Sequence, residues 1–167
     1  DIQHCYLQPS LSNEIRLALK AYGLMHNLPF FDLRAKTGYL RNVIIRNSSL
    51  GNLMVIIVVA ADQPELLLPL MTHIKDTFPE ITSLYYCVNE KNNDTIFDQD
   101  VVLFSGEKFM IEQIDEVKYH LGPKSFFQTN SVQAANLYAL TKKLAALQPE
   151  DNVYDLYCGV GSLGIYM

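Results

Sequence analysis

The stretch Val153-Tyr-Asp-Leu-Tyr-Cys-Gly-Val-Gly-Ser-Leu-Gly-Ile-Tyr-Met167 limits the folds open to this chain more than any other. A short apolar run, Val153 to Leu156, carries one carboxylate at Asp155 and leads into glycines at 159, 161 and 164. An apolar strand ending in glycines lets an open α/β sheet bring backbone close to a nucleotide-like ligand. Glycine reaches positive φ and leaves no side chain in the way. Ligand crevices in such sheets lie beyond the carboxyl ends of the strands, where Tyr157 to Gly161 would fall. The sequence stops directly after this turn, and one strand with one turn cannot make a doubly wound sheet. A cofactor-binding half is therefore expected to be only begun here. The chain also opens on Asp1 rather than Met, so its N-terminus is expected to be cut or processed as well.

Of the 167 residues 49% are hydrophobic and 19% charged, enough for one ordinary core plus part of another. The net charge of −5 argues against a chain that grips nucleic acid by charge alone, because Lys and Arg neutralise phosphates. A polynucleotide would need a local patch or further segments. Cys5, Cys87 and Cys158 are widely separated and suggest no disulfide framework, which fits a reducing, cytoplasmic compartment. The longest apolar run, Leu53 to Ala61, is far short of the ~20 residues a membrane helix needs. No signal peptide is visible, and no membrane partner is expected.

Spacing predicts a helix over 12–24, with Ser12 as N-cap and Ile15, Leu19 and Tyr22 on one face. Residues 39–46 and 52–60 read as two strands of a hairpin joined by Asn47-Ser-Ser-Leu-Gly51. Asp62-Gln-Pro-Glu65 resembles a capping box opening a helix to about Phe78, in which Pro69 either makes a kink or marks the true start. A third strand is expected over 81–89 and an exposed polar loop over 90–94. Residues 101–104, 109–114 and 117–121 read as a meander of short strands. Asn130 can cap a helix through Leu147, with Gln133 in the capping-box position, and Val153–Leu156 starts a new sheet. The expected class is α/β: a mixed-sheet central domain over 1–123, then the first helix and strand of a Rossmann-like domain over 124–167.

Gly159-Val-Gly-Ser-Leu-Gly164 matches GxGxxG, a weak signal by itself. In a dinucleotide fold, pyrophosphate rests on the helix after the first glycine. Asp155, four residues ahead of Gly159, would repel pyrophosphate but suits an amino group or a sulfonium. S-adenosylmethionine carries both cations and is preferred to a nicotinamide or flavin. A turn that needs glycine only for close packing stays open. Cys158 reads as a small buried side chain rather than a nucleophile.

Two motifs together carry a family likeness. Tyr119-His-Leu-Gly-Pro-Lys-Ser-Phe-Phe-Gln-Thr-Asn130, followed about 25 residues later by Asp155-Leu-Tyr-Cys-Gly-Val-Gly161, resembles the RNA uracil-5-methyltransferases. Gly38-Tyr-Leu-Arg-Asn-Val-Ile-Ile-Arg46 is similar to the first strand of that family's central domain. The resemblance is strong from residue 119 onward and looser before it. It implies a class I fold that uses S-adenosylmethionine to methylate carbon 5 of a uridine in ribosomal or transfer RNA. It implies that Gln128 contacts the methionine or ribose part of the cofactor. Asp155, Tyr157 and the backbone at Gly159 and Gly161 would line the pocket, with Ser162 where some relatives carry Asn.

In the ribosomal RNA branch the family holds a [4Fe–4S] cluster on three close cysteines and a fourth farther along. Asp1-Ile-Gln-His-Cys-Tyr-Leu-Gln-Pro9 resembles the context of that fourth ligand, which implies Cys5 as a cluster ligand and favours 23S ribosomal RNA as substrate. The family's chemistry adds a cysteine thiolate to uracil carbon 6 and removes the carbon 5 proton with a base. Both residues lie downstream of the glycine turn, so no catalytic residue is expected here and this chain alone is expected to be inactive. Asp100, Glu107, Glu112, Asp115 and Glu116 read as solvated turn and edge residues. The alternatives are a transfer RNA enzyme, a non-catalytic RNA-binding module and a small-molecule methyltransferase.

From Leu33 to Ala61 there is no acid, while Arg34, Lys36, Arg41 and Arg46 fall in the first half. This is a candidate phosphate-facing surface, with a hairpin of charged, aggregation-resistant edges as the alternative. Lys118, His120 and Lys124 form a second basic group near the proposed cleft, with His120 facing solvent. Arg41 and Lys124 are the residues expected to touch RNA.

Overall fold

A computed structural model describes residues 2–167. The chain divides into two compact units. The first runs to Arg46 and resumes over Leu53–Lys108; the second combines Asn47–Asn52 with Phe109–Met167.

The first unit holds α1 (Ser10–Met25), β1 (Leu40–Asn47), β2 (Leu53–Val59), α2 (Pro64–Thr77), β3 (Ser83–Val88) and β4 (Val101–Gly106). Its sheet has the order β1-β2-β3-β4. Only five residues link β1 to β2, too few for a parallel crossover, so the pair is the expected hairpin. β2 and β3 run parallel, from Met54 opposite Ser83 to Val59 opposite Val88, with α2 as the crossover between them. β3 and β4 are antiparallel, which makes the sheet mixed, as the α/β reading expects. The unbroken apolar run of β2 has its reason in this position. An interior strand covered on both faces keeps no polar side, and all seven residues of β2 are buried.

Ile15, Leu19 and Tyr22 of α1 and Leu67, Leu70, Met71 and Ile74 of α2 join Val55, Ile57 and Val59 in one core. The caps expected for these helices do not form. α1 starts at Ser10 after Pro9, with Ser12 buried inside it, and α2 is preceded by Gln63 with no side-chain cap. A cap is worth about 1 kcal/mol, whereas each large side chain removed from water contributes roughly 1.5–3 kcal/mol. Packing therefore decides where these helices begin. Pro69 lies inside α2 without ending it. The N–H it lacks would have met the carbonyl of Glu65, an exposed residue whose oxygen water can satisfy.

Tyr39 is buried, and its hydroxyl has no hydrogen-bond partner among the described residues. Burial first, then the charges of Glu65 and Asp62, push its pKa up to about 12. A phenol raised above its unfolded value of ~10 favours the folded state below that pH. The contribution is lost as pH rises from 10 towards 12. Tyr39→Phe is expected to raise the thermal midpoint at pH 7 by a few degrees, since an unsatisfied buried hydroxyl costs about 1 kcal/mol or more. It should also flatten the alkaline decline in stability, which thermal melts between pH 9 and 12 would reveal.

The three-strand meander does not form. β4 pairs with β3, whereas β5 (Met110–Ile114) and β6 (Val117–Leu121) pair with each other. Gly106 ends β4 at φ +87, with its α-carbon pressed so close to the chain that a Cβ would stand 2.1 Å from the Thr82 carbonyl oxygen. That approach lets Glu107 N donate to Thr82 O at 2.8 Å and turns the chain out of the sheet.

The second unit contains the β5–β6 hairpin, α3 (Ser131–Ala145), α4 (Ser162–Tyr166) and the tip of the β1–β2 hairpin. Glu112 of β5 is buried rather than solvated, because that tip brings it donors. Its carboxylate accepts from Ser49 N at 3.1 Å, from the Ser49 hydroxyl and from Gln113 N at 2.8 Å. Beside it Asn52 Oδ1 accepts from Ile111 N at 2.9 Å. The cap of α3 forms as expected, with Asn130 Oδ1 accepting from Gln133 N at 3.0 Å. Residues 153–156 are not a strand: among the described residues no neighbouring strand offers them a ladder. Val153, Tyr154 and Leu156 consequently remain 53%, 85% and 77% exposed.

Candidate cofactor and RNA site

The glycine turn is built from residues at positive φ: Tyr157 (+66°), Gly159 (+59°) and Gly161 (+73°). Gly161 N donates to Cys158 O at 2.8 Å and closes the turn, and Ile165 N donates back to Gly161 O at 2.8 Å as α4 starts. A Cβ on Gly159 would meet nothing within 4 Å, so the backbone there is open to a ligand. At Gly164 a Cβ would stand 3.2 Å from Asp155 Oδ2. The missing side chain lets the Asp155 carboxylate rest against α4.

Gly159 and Val160 share an open depression of about 550 Å³ with Gly122, Pro123, Lys124, Ser125 and Phe126. The loop from Gly122 is held by Ser125, whose Oγ accepts from Gly122 N at 3.0 Å and whose N donates to Gly122 O at 3.1 Å. Phe126 is 68% exposed in this depression, while Phe127 is buried against the Tyr119 ring at 5.2 Å. The motif pointed to Gln128, whereas the residue of Phe126–Gln128 that lines the depression is Phe126. A pair of adjacent aromatics in extended chain points one ring each way, and that was the available signal.

The expected site residues fall into two groups. Asp155, Tyr157, Gly159, Gly161 and Ser162 lie along one turn, with Asp155, Tyr157 and Gly159 exposed. Gln128 is exposed just ahead of α3 and does not line the depression. Ser162 is already engaged: its Oγ lies 2.8 Å from the Tyr138 hydroxyl, and its carbonyl accepts from the Tyr119 hydroxyl at 3.1 Å. A hydroxyl has one donor and two acceptor positions, so that bond leaves Ser162 capacity for a ligand. Burial raises the Tyr119 pKa, with Tyr138 and Asp115 adding to it. The Tyr166 hydroxyl donates to Asp115 at 2.5 Å, and that bond holds its proton in place and raises its pKa. Open backbone at Gly159 and an exposed carboxylate at Asp155 fit a ligand with a cationic end.

Cys5 is a partly exposed free thiol beside Ile2, Gln8, Asn13 and Arg16. Among the described residues no three His, Cys, Asp or Glu come together as metal ligands. An iron–sulfur cubane takes four thiolates, so this chain by itself does not fit one.

The basic residues are redistributed. Arg41 does not face solvent: its side chain is 1% exposed and lies over the Phe31 ring, 4.0 Å from the centroid. Its Nη1 donates to the carbonyls of Asn89 and Lys91 at 2.8 and 2.6 Å, and its Nη2 to that of Asn93 at 2.9 Å and to Asp94 at 3.1 Å. Asn89, fully buried, completes this loop through its own bonds to Lys91, Asn93 and Thr95. Arg46 is half-buried. Arg34 and Lys36 remain exposed on a turn whose N–H groups at Arg34 and Ala35 donate to Asp32, holding the Asp32 carboxyl below its ordinary pKa. In the second unit Lys118 and His120 are exposed, while Lys124 lines the depression. No helix among the described residues is long and apolar enough to cross a membrane.

No protein-family model matches the sequence. An uncharacterized RNA methyltransferase of Bacteroides thetaiotaomicron is 46% identical over 99% of this chain, and one of Porphyromonas gingivalis is 41% identical over all of it. The relatives of this chain are RNA methyltransferases. The chain spans 37% and 36% of the lengths of those two proteins. Among solved structures, the Pyrococcus abyssi tRNA (uracil-54, C5)-methyltransferase in complex with S-adenosyl-L-homocysteine superposes with a TM-score of 0.79 at 32% identity. That likeness covers 99% of this chain and 39% of the other.

Proposed function

We propose that this chain is one segment of an enzyme that methylates carbon 5 of a uridine in RNA, with 23S ribosomal RNA as its substrate. The observation that supports the uridine-methylating part of the reading is the likeness, over 99% of the chain, to a tRNA uracil C5-methyltransferase that was solved with S-adenosyl-L-homocysteine, while the choice of ribosomal RNA rests on the sequence context of Cys5. In this reading residues 1–123 form the substrate-side central domain and residues 124–167 begin the cofactor domain. S-adenosylmethionine, when bound, supplies the methyl group. Asp155 takes its cationic end, Gly159 and Gly161 give it close backbone, and Gln128, Tyr157 and Ser162 line it. The reacting groups belong to the rest of the longer protein, and this segment alone should neither methylate RNA nor hold the cofactor measurably.

The test is to incubate the full-length protein with S-adenosylmethionine and 23S ribosomal RNA or transfer RNA, then quantify 5-methyluridine by mass spectrometry. Product in ribosomal RNA alone is the expected result, and no product in either RNA removes the reading. A transfer RNA substrate is the second reading, favoured by the substrate of the solved neighbour. Cys5 would serve as one ligand of a [4Fe–4S] cluster whose other thiolates lie elsewhere in the longer protein. Anaerobic iron and sulfide analysis tests this, and a metal-free protein that methylates RNA would exclude it.

Lys124, in the depression beside Gly159, is the favoured phosphate contact. Lys124→Ala in the full-length protein is expected to weaken RNA binding a few-fold and to lower the salt slope of log K by about 1. Filter binding across 50–300 mM salt would measure both. An unchanged slope would place Lys124 away from phosphate.

A further inference from the structure

Tyr119 and Tyr138 come from different elements, β6 and α3, and each is only 4% exposed. Their hydroxyls nevertheless end on a single residue. Tyr119 donates to the carbonyl oxygen of Ser162 at 3.1 Å, and the Tyr138 hydroxyl bonds Ser162 Oγ at 2.8 Å. Ser162 directly follows Gly161 and opens α4, so it is where the glycine turn is tied to the rest of the unit.

The two rings are themselves fixed. Tyr119 packs on Phe127 at 5.2 Å, and Tyr138 packs on Tyr166 at 5.6 Å. Tyr166 is held in turn by its bond to Asp115, while Lys142 reaches its carbonyl at 3.4 Å. The turn itself needs such support. Its residues at positive φ include the non-glycine Tyr157, and a strained backbone persists only where its surroundings over-determine it.

We propose that Tyr119 and Tyr138 are positioning residues for the cofactor turn: by fixing the carbonyl and hydroxyl of Ser162 they hold Gly159–Gly161 in the shape that receives the ligand. This rests on reading that turn as the S-adenosylmethionine site. The two hydroxyls act on the turn and not on the ligand, so their loss should change affinity for the cofactor while leaving RNA binding alone.

The experiment measures S-adenosylhomocysteine affinity by calorimetry in the full-length protein. Tyr138→Phe is expected to raise Kd about five-fold, the worth of one ordinary hydrogen bond, and Ser162→Ala by at least as much, since it loses both that bond and the side chain that lines the cofactor. The double variant should be no weaker than Ser162→Ala alone, because Ser162→Ala already removes the bond that Tyr138 makes. Tyr119→Phe should give a separate rise of about the same size. RNA affinity should stay within two-fold of the unmutated protein. A lower thermal midpoint with unchanged Kd would make the tyrosines merely structural and overturn the proposal. Fully additive losses in the double variant would overturn the Tyr138–Ser162 route. An unmutated protein that does not bind S-adenosylhomocysteine would instead bring down the cofactor reading, and the proposal with it.

Discussion

Replacing Arg41 by Leu is expected to cost roughly 3–5 kcal/mol of folding stability and to lower the thermal midpoint by about 10 °C. The guanidinium is buried, and it satisfies three backbone carbonyls of the Asn89–Asn93 loop. Leucine would fill much of the volume but leave those oxygens without donors. The ion pair with Asp94 adds little, since the Asp94 side chain is 48% exposed and exposed pairs contribute about 0–1 kcal/mol. The carbonyls therefore decide the outcome. Arg41→Lys should recover only part of the loss, because an ammonium cannot reproduce the planar fork or its stacking on Phe31. Well below the midpoint, RNA affinity of the folded variant should be unchanged. Weaker RNA binding at unchanged stability would return Arg41 to the phosphate-facing role that its place in the sequence suggested.

That reversal shows what a sequence read residue by residue can reach. The apolar run of β2 and the Asn130 cap of α3 were legible because their causes are local: seven consecutive apolar residues, and an acceptor three positions ahead of the N–H it serves. Arg41 has partners 48 to 53 residues away, and Glu112 has one at a separation of 63. Composition cannot assign such partners. An arginine among β-branched residues looks like a charged edge until the loop that needs its donors is known. The same holds within the candidate site. Glycine spacing and the carboxylate ahead of it pointed to the turn and to Asp155, whereas the hydroxyls that bond Ser162 come from residues 43 and 24 positions away. Val153–Leu156 is the opposite case. Its pattern is that of a buried strand, but a strand exists only with a neighbour to share its hydrogen bonds, and among the described residues it has none.

Asp155→Asn in the full-length protein is expected to raise the dissociation constants of S-adenosylmethionine and S-adenosylhomocysteine by roughly fifty-fold each, the scale of a charge-assisted hydrogen bond. The substitution preserves volume, so the carboxamide still fits against Gly164, where Asp155 now lies. What disappears is the negative charge and one acceptor oxygen. Comparing the two ligands separates the cations that a carboxylate could serve. Both carry the amino group, but only S-adenosylmethionine carries the sulfonium. An ammonium donates hydrogen bonds to a carboxylate, whereas a sulfonium has no hydrogen on its charged atom and offers only diffuse attraction. Equal losses would therefore assign Asp155 to the amino group, which is the result expected. A loss confined to S-adenosylmethionine would assign it to the sulfonium, beside the methyl group that is transferred. Calorimetry that finds neither constant changed would place Asp155 outside the pocket, leaving the glycines of the turn as a packing device and not a cofactor site.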